Sequence, residues 1–174
     1  FTTGASGTTT VDVVTESQTQ TLTNKTLTNP LVTNAMIAGG ATLTVTAATH
    51  AGKIIALDTA AGTVITLPAA TATGNVYKFL VTVTATSNSH IIQVANATDE
   101  FRGYVVQDAS EATAPNIFWA ADNDDTITLN RTTTGLAAQG EYFCVIDAVS
   151  GVFFVQGYSQ ASGIEATPFS NAVS

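Results

Sequence analysis

The pattern of this chain predicts an all-β protein: a single, jelly-roll-like β-sandwich preceded by an extended N-terminal arm. Three observations predict it. After Gly40 the apolar residues alternate with Thr and other polar residues in short runs of period two, which gives each run one core-facing side. Gly, Asn, Asp, Ser and Pro punctuate those runs at the spacing of sandwich turns. The Ala-rich stretches 69–73 and 109–114 are too short, and too broken by Thr and Pro, for stable helices.

The arm, residues 1–40, opens with a low-complexity run of Thr, Gly and Ser, and Val11-Asp12-Val13-Val14 is its first apolar point. Thr-Leu-Thr-Asn then occurs twice at a five-residue step, at 21–24 and 26–29, followed by Pro30 and Leu31. Single leucines set among hydroxyls and amides cannot offset their ordering entropy alone, so this segment needs neighbouring chains or another surface. Strand addition to an exposed sheet edge suits it, with Leu22, Leu27 and Leu31 filling small pockets and Asn24 and Asn29 satisfying turns before Pro30. These six residues are the candidate assembly contacts. Gly39-Gly40 forms the joint to the body.

The body spans residues 41–160. Thr42–Thr46 is its first strand, and Lys53–Leu57 and Thr63–Leu67 read as a hairpin across Asp58–Gly62, the second strand stopped by Pro68. Gly74-Asn75 opens Val76–Val83, and Ser87-Asn88-Ser89 turns that run into His90–Val94. Tyr104–Gln107, Ile117–Ala120 and Thr126–Leu129 follow, the last behind the acidic turn Asp122–Asp125. Tyr142–Ile146 and Val152–Gln156 close the core across Ser150-Gly151. Residues 161–174 read as an extended tail whose Phe169 is placed to dock on the body or on a neighbour.

Composition excludes several function classes. The 174 residues, 45% of them apolar, suffice for one real core. Only 10% are charged, so contacts rest on neutral hydrogen-bonding groups, a surface suited to permanent assembly. The net charge of −8 repels phosphate backbones and anionic membranes, and the five basic residues Lys25, Lys53, Lys78, Arg102 and Arg131 are scattered singly. Neither a nucleic-acid nor a membrane partner is expected. No window reaches the roughly 18 apolar residues of a membrane span, and no signal-peptide pattern opens the chain. Phe1 in place of Met leads to the expectation that residues precede it.

No constellation of catalytic or metal-ligating residues emerges, and no cofactor is expected. His50 and His90 lie beside turns, far from each other and from Cys144, where zinc needs three or four converging ligands. Cys144, inside the apolar run Tyr142–Ile146, reads as a small core hydrophobe. Asp122-Asn123-Asp124-Asp125 offers oxygen ligands but lacks the Gly and closing Glu of a calcium loop, so it reads as a solvated turn. Glycoside cleavage needs two positioned carboxylates, and nothing singles out a pair among Asp99, Glu100 and Asp147. Phe118 and Trp119 read as core rather than as a sugar-stacking platform. Consecutive Phe153 and Phe154 place one ring on each sheet face, which hints at oligomerisation.

The segment 21–30 resembles one found in many tailed-phage structural proteins, in fibres and heads, just upstream of a globular unit. Residues 51–81 and 87–103, with 125–130 and 163–170, resemble a family of small tailed-phage virion proteins, and the likeness covers most of 51–174. The resemblance implies a virion structural protein, not an enzyme: a homotrimeric capsid decoration or cement protein on the outer surface of the head, assembled in the host cytoplasm and bound to the major capsid protein. A trimeric tail or head fibre that binds a host surface glycan is the alternative.

Overall fold

A computed structural model of the chain describes residues 36–109, 114–135 and 139–173. Among these the alternating runs form twelve strands and one helical turn: β1 (Ile37–Ala38), β2 (Thr42–Thr44), α1 (Ala47–His50), β3 (Ile54–Leu57), β4 (Val64–Thr66), β5 (Val76–Val81), β6 (His90–Gln93), β7 (Glu100–Ala109), β8 (Asn116–Trp119), β9 (Thr126–Leu129), β10 (Tyr142–Val149), β11 (Val152–Ala161) and β12 (Phe169–Ser170). They make two sheets. Sheet A has the order β1-β3-β5-β10-β11-β7-β8, and sheet B the order β12-β9-β6-β4-β2. The sheets pack against each other around one apolar core, so the body is the expected all-β sandwich.

The strand order departs from an all-antiparallel jelly roll, because the first half of the body winds. β1, β3 and β5 stack in parallel in sheet A while β2, β4 and β6 stack in parallel in sheet B. The chain therefore crosses from one sheet to the other at every loop. This overturns the hairpin expected between Lys53–Leu57 and Thr63–Leu67, whose strands β3 and β4 lie in opposite sheets. A period-two run presents one apolar face in either arrangement, so alternation alone does not choose between them.

The loops make the choice. The β5–β6 loop lies on the β3–β4 loop: the Thr86 N–H and hydroxyl both donate to Ala60 O (2.6 and 3.1 Å), and the Asn88 amide donates to Ala61 O (2.9 Å). Gly62 permits this closeness. Its φ is +93°, and a Cβ there would sit 2.4 Å from Ser89 O. Asp58 ties the preceding coil by accepting from the Gly40 N–H at 2.8 Å.

The second half pairs more locally. β10 and β11 form the hairpin expected across Ser150-Gly151, and β10 pairs antiparallel with β5. β7 runs parallel to β11 over ten residues, with β8 antiparallel on its far side. In sheet B, β9 pairs antiparallel with β6 and with β12. Tyr77, Phe79, Phe101, Phe143 and Phe153 fill the core from sheet A, against Ile65, Ile92, Ile127 and Leu129 from sheet B and Leu67 just past the end of β4. Phe169 docks on its own body, buried in the same core. The turn α1 was not legible in sequence: the ring Nδ1 of buried His50 accepts the Thr46 N–H (2.9 Å) and closes it.

We expect Gly62→Ala to lower the unfolding free energy by about 1–3 kcal/mol in urea denaturation. Gly52→Ala, also at positive φ (+75°) but with open space around it, should cost less. Equal losses would contradict the stacked loops.

Candidate assembly face

The two sheets turn very different faces outward. On sheet B, Thr44, Thr66, Gln93, Thr126 and Ser170 stand side by side across all five strands, and the next row is Thr42, Val64, Ile91 and Thr128. Hydroxyls and amides dominate that face beside Val64 and Ile91, and apart from buried Thr126 its polar groups are open to water.

Sheet A is the opposite. Alternation sends Phe143 and Val145 inward from β10, so Tyr142, Cys144 and Ile146 point outward; on β11, Phe153 and Val155 point inward and Phe154, Gln156 and Tyr158 outward. Register aligns these side chains into rows. Leu80, Tyr142, Tyr158, Val106 and Ile117 form one row across five strands. Ile54, Lys78, Cys144, Gln156, Tyr104 and Trp119 form the next, and Val76, Ile146, Phe154 and Arg102 a third. Trp119 is 66% exposed, Ile117 55%, Tyr158 44% and Tyr142 38%. Between the central strands lies an open depression of about 490 Å³, lined by Val106, Tyr142, Cys144, Gln156, Gly157 and Tyr158. The face is mostly apolar, interrupted by Lys78, Gln156 and Arg102, and exposed apolar area of this kind makes it the candidate interaction surface.

Two core assignments change accordingly. Cys144 is half-buried on this outer face and is not a core residue. Phe118 packs against the core as expected, whereas Trp119, one residue on, faces out with its ring 5.0 Å from that of Tyr104. Phe153 and Phe154 divide between the faces as their adjacency requires, the first fully buried and the second half-buried. A signal for this face was present in the sequence. The runs 142–146 and 152–155 are continuously apolar, the pattern of strands covered on both sides.

The charged groups considered for chemistry are fastenings. Asp147, 2% exposed, accepts the backbone N–H groups of Thr71, Ala72 and Thr73 (2.9, 2.9 and 3.1 Å) and the Thr73 hydroxyl (2.6 Å). Burial opposes its ionisation, but the Thr73 hydroxyl and the three N–H groups outweigh burial and hold its pKa below the ordinary 3.8. Asp99 takes the Ala70 N–H and the Asn96 amide (2.9 and 2.8 Å). Buried Asp125 takes the Thr126 hydroxyl and the N–H groups of Ala172 and Val173, fastening the C-terminal segment. Glu100 bonds the Asn123 N–H and, with Asp122, holds Arg102, whose pKa those two bonds raise. Thus Asp122–Asp125 is a turn whose members serve different neighbours. Desolvation lowers the pKa of fully buried His90 more than its bond to Val83 O raises it.

Among the described residues no group of three or more His, Cys, Asp or Glu is arranged to hold a metal ion. Gln107, Ser159, Glu141 and Thr134 are buried polar residues that the sequence reading missed. The candidate contacts Leu22, Asn24, Leu27, Asn29, Pro30 and Leu31 lie outside the described residues. Their Thr-Leu-Thr wording recurs in the body, where Thr42-Leu43-Thr44 is edge strand β2, with Leu43 packed against the core and both threonines exposed. No family model, curated protein or solved structure matches the chain.

At pH 7, Asp147→Asn should cost on the order of 2–3 kcal/mol, as expected for charge-assisted bonds to buried donors. Because folding lowers the Asp147 pKa, its stabilisation is complete above the unfolded value near 3.8 and is lost as pH falls through the folded value. Chemical denaturation of both proteins from pH 7 to pH 2 should show the gap closing at the acid end; a constant gap would refute the clasp.

Proposed function

We propose that this chain is a structural protein of a tailed-phage particle, a decoration or cement protein on the outer surface of the head. The observation that supports this most is the unequal pair of faces. One is a hydroxyl and amide surface fit for solvent, the other a broad apolar sheet that needs a partner. The carboxylates weighed for catalysis are engaged in holding loops, which favours an architectural role over a chemical one. In this reading the residues before Met36 reach the major capsid protein, and Thr-Leu-Thr segments there add to sheet edges as β2 does in the body. Several arms on one assembly then raise each other's effective concentration and slow detachment.

A fibre that binds a host glycan is the second reading. Exposed Trp119 beside Tyr104 favours it, since paired aromatic rings offer a stacking platform for sugar faces.

Quantitative gels of purified virions discriminate the two. A copy number near that of the major shell protein is expected; one lower by orders of magnitude would favour the fibre. Deleting residues 1–35 should leave a folded body by circular dichroism and abolish occupancy on purified capsids. The deletion must stop there because β1 pairs with β3 and the Gly39 N–H bonds Ala56 O at 2.9 Å. Unchanged occupancy would refute the role of the arm.

A further inference from the structure

We propose that the outer face of sheet A is where copies of this chain meet, so that in the assembled protein it is covered by a second copy. The inference rests on this face being an assembly surface, not on the phage assignment. Its size is the first argument. Six strands from β3 to β8, spaced about 4.8 Å, and three side-chain rows about 7 Å apart give roughly 600 Å² in projection. Side-chain relief raises the accessible area toward the roughly 800 Å² per partner of a stable complex.

Charge is the second argument. Two copies of a chain at −8 repel one another wherever their acids face, and a homotypic contact needs a region free of that excess. Among the described residues the charged side chains of this face come close to balance: Lys78 and Arg102 against Glu100 and Asp108, with Arg102 tied to Glu100 at 2.9 Å and to Asp122 at its edge. Most of the described acids, Asp58, Asp99, Asp124, Asp125, Glu141, Asp147 and Glu165, lie off these three rows.

The distribution of side chains is the third. Tyr142 and Tyr158 stand on the two central strands with Leu80 and Val106 beside them, while Glu100 and Asp108 lie toward the ends of β7. Apart from Lys78, which stands beside Cys144 in the middle row, aromatic anchors on the central strands with charge toward the strand ends match the anatomy of a self-associating surface. The lateral sides complement one another as well. About a symmetry axis that runs along the strands, the β8 side of one copy meets the β3 side of the next, which brings exposed Trp119 against Ile54 and Lys78 of the neighbouring copy.

The test uses the full chain in solution. Light scattering at tens of micromolar should give an oligomer, and Cys144, midway across the face, should react slowly with a thiol reagent. Tyr158→Glu should reduce the mass to that of one chain and expose Cys144, while circular dichroism stays unchanged. Ile117→Glu, at the exposed edge, serves should Tyr158→Glu fail to fold. Thr66→Glu on the outer face of sheet B should leave the mass unaltered. A monomeric wild-type chain with freely reactive Cys144, or an oligomer that survives both face substitutions, would overturn the proposal. Neither result bears on the copy number per virion, which tests the phage reading separately.

Discussion

A strand in a two-layer sandwich has two faces, and the fold can bury only one of them. The organisation of this protein follows from how that constraint is met. Sheet B answers it mainly with threonines and a glutamine on the outside, and β4 and β6 alternate cleanly. Sheet A carries apolar and aromatic side chains on both faces of β10 and β11, and the inner face alone goes into the core. The apolar surface left over is the area that the proposed assembly would cover. From it follow the half-exposed Cys144, the outward Trp119 and the case for a protein that works as part of an assembly.

Winding solves a second problem, that of connecting parallel strands without long helical crossovers. Parallel neighbours usually need a dozen or more residues and a helix between them. Here each loop delivers the chain to the opposite sheet, and the return brings it beside its predecessor in parallel register. The cost is close packing of loop on loop, met by Gly62 and by side-chain bonds from Thr86 and Asn88. Few charges are available, and the described acids are used sparingly. Asp147, Asp99 and Asp125 each collect backbone N–H groups that a loop would otherwise leave unpaired, including those of the C-terminal segment.

The strands were largely legible because alternation and turn residues are local properties. Lys53–Leu57, Thr63–Leu67, Val76–Val83, His90–Val94 and Thr126–Leu129 all overlap observed strands, and the turn at Ser150-Gly151 joins the two strands it was expected to join. The errors share one cause. The hairpin between β3 and β4, the core placement of Cys144 and the inward Trp119 each required knowing which sheet, or which face, a strand would occupy. Alternation says that neighbouring residues point in opposite directions; it does not say which direction is inward when both are apolar. The turn α1 was missed because it depends on the His50 ring returning to the Thr46 N–H, a contact that propensity does not encode.

The all-β class, the positions of most strands, the low and negative charge and the polar composition of residues 1–35 are properties of the sequence alone, since they depend on local periodicity and on side-chain chemistry. Tertiary structure decided the partition of strands between sheets, the parallel winding, the use of each carboxylate and the emergence of one apolar outer face. Those depend on which segments, distant in sequence, come to lie side by side. Tyr142, Tyr158, Val106 and Ile117 form a surface only because β10, β11, β7 and β8 are neighbours in space.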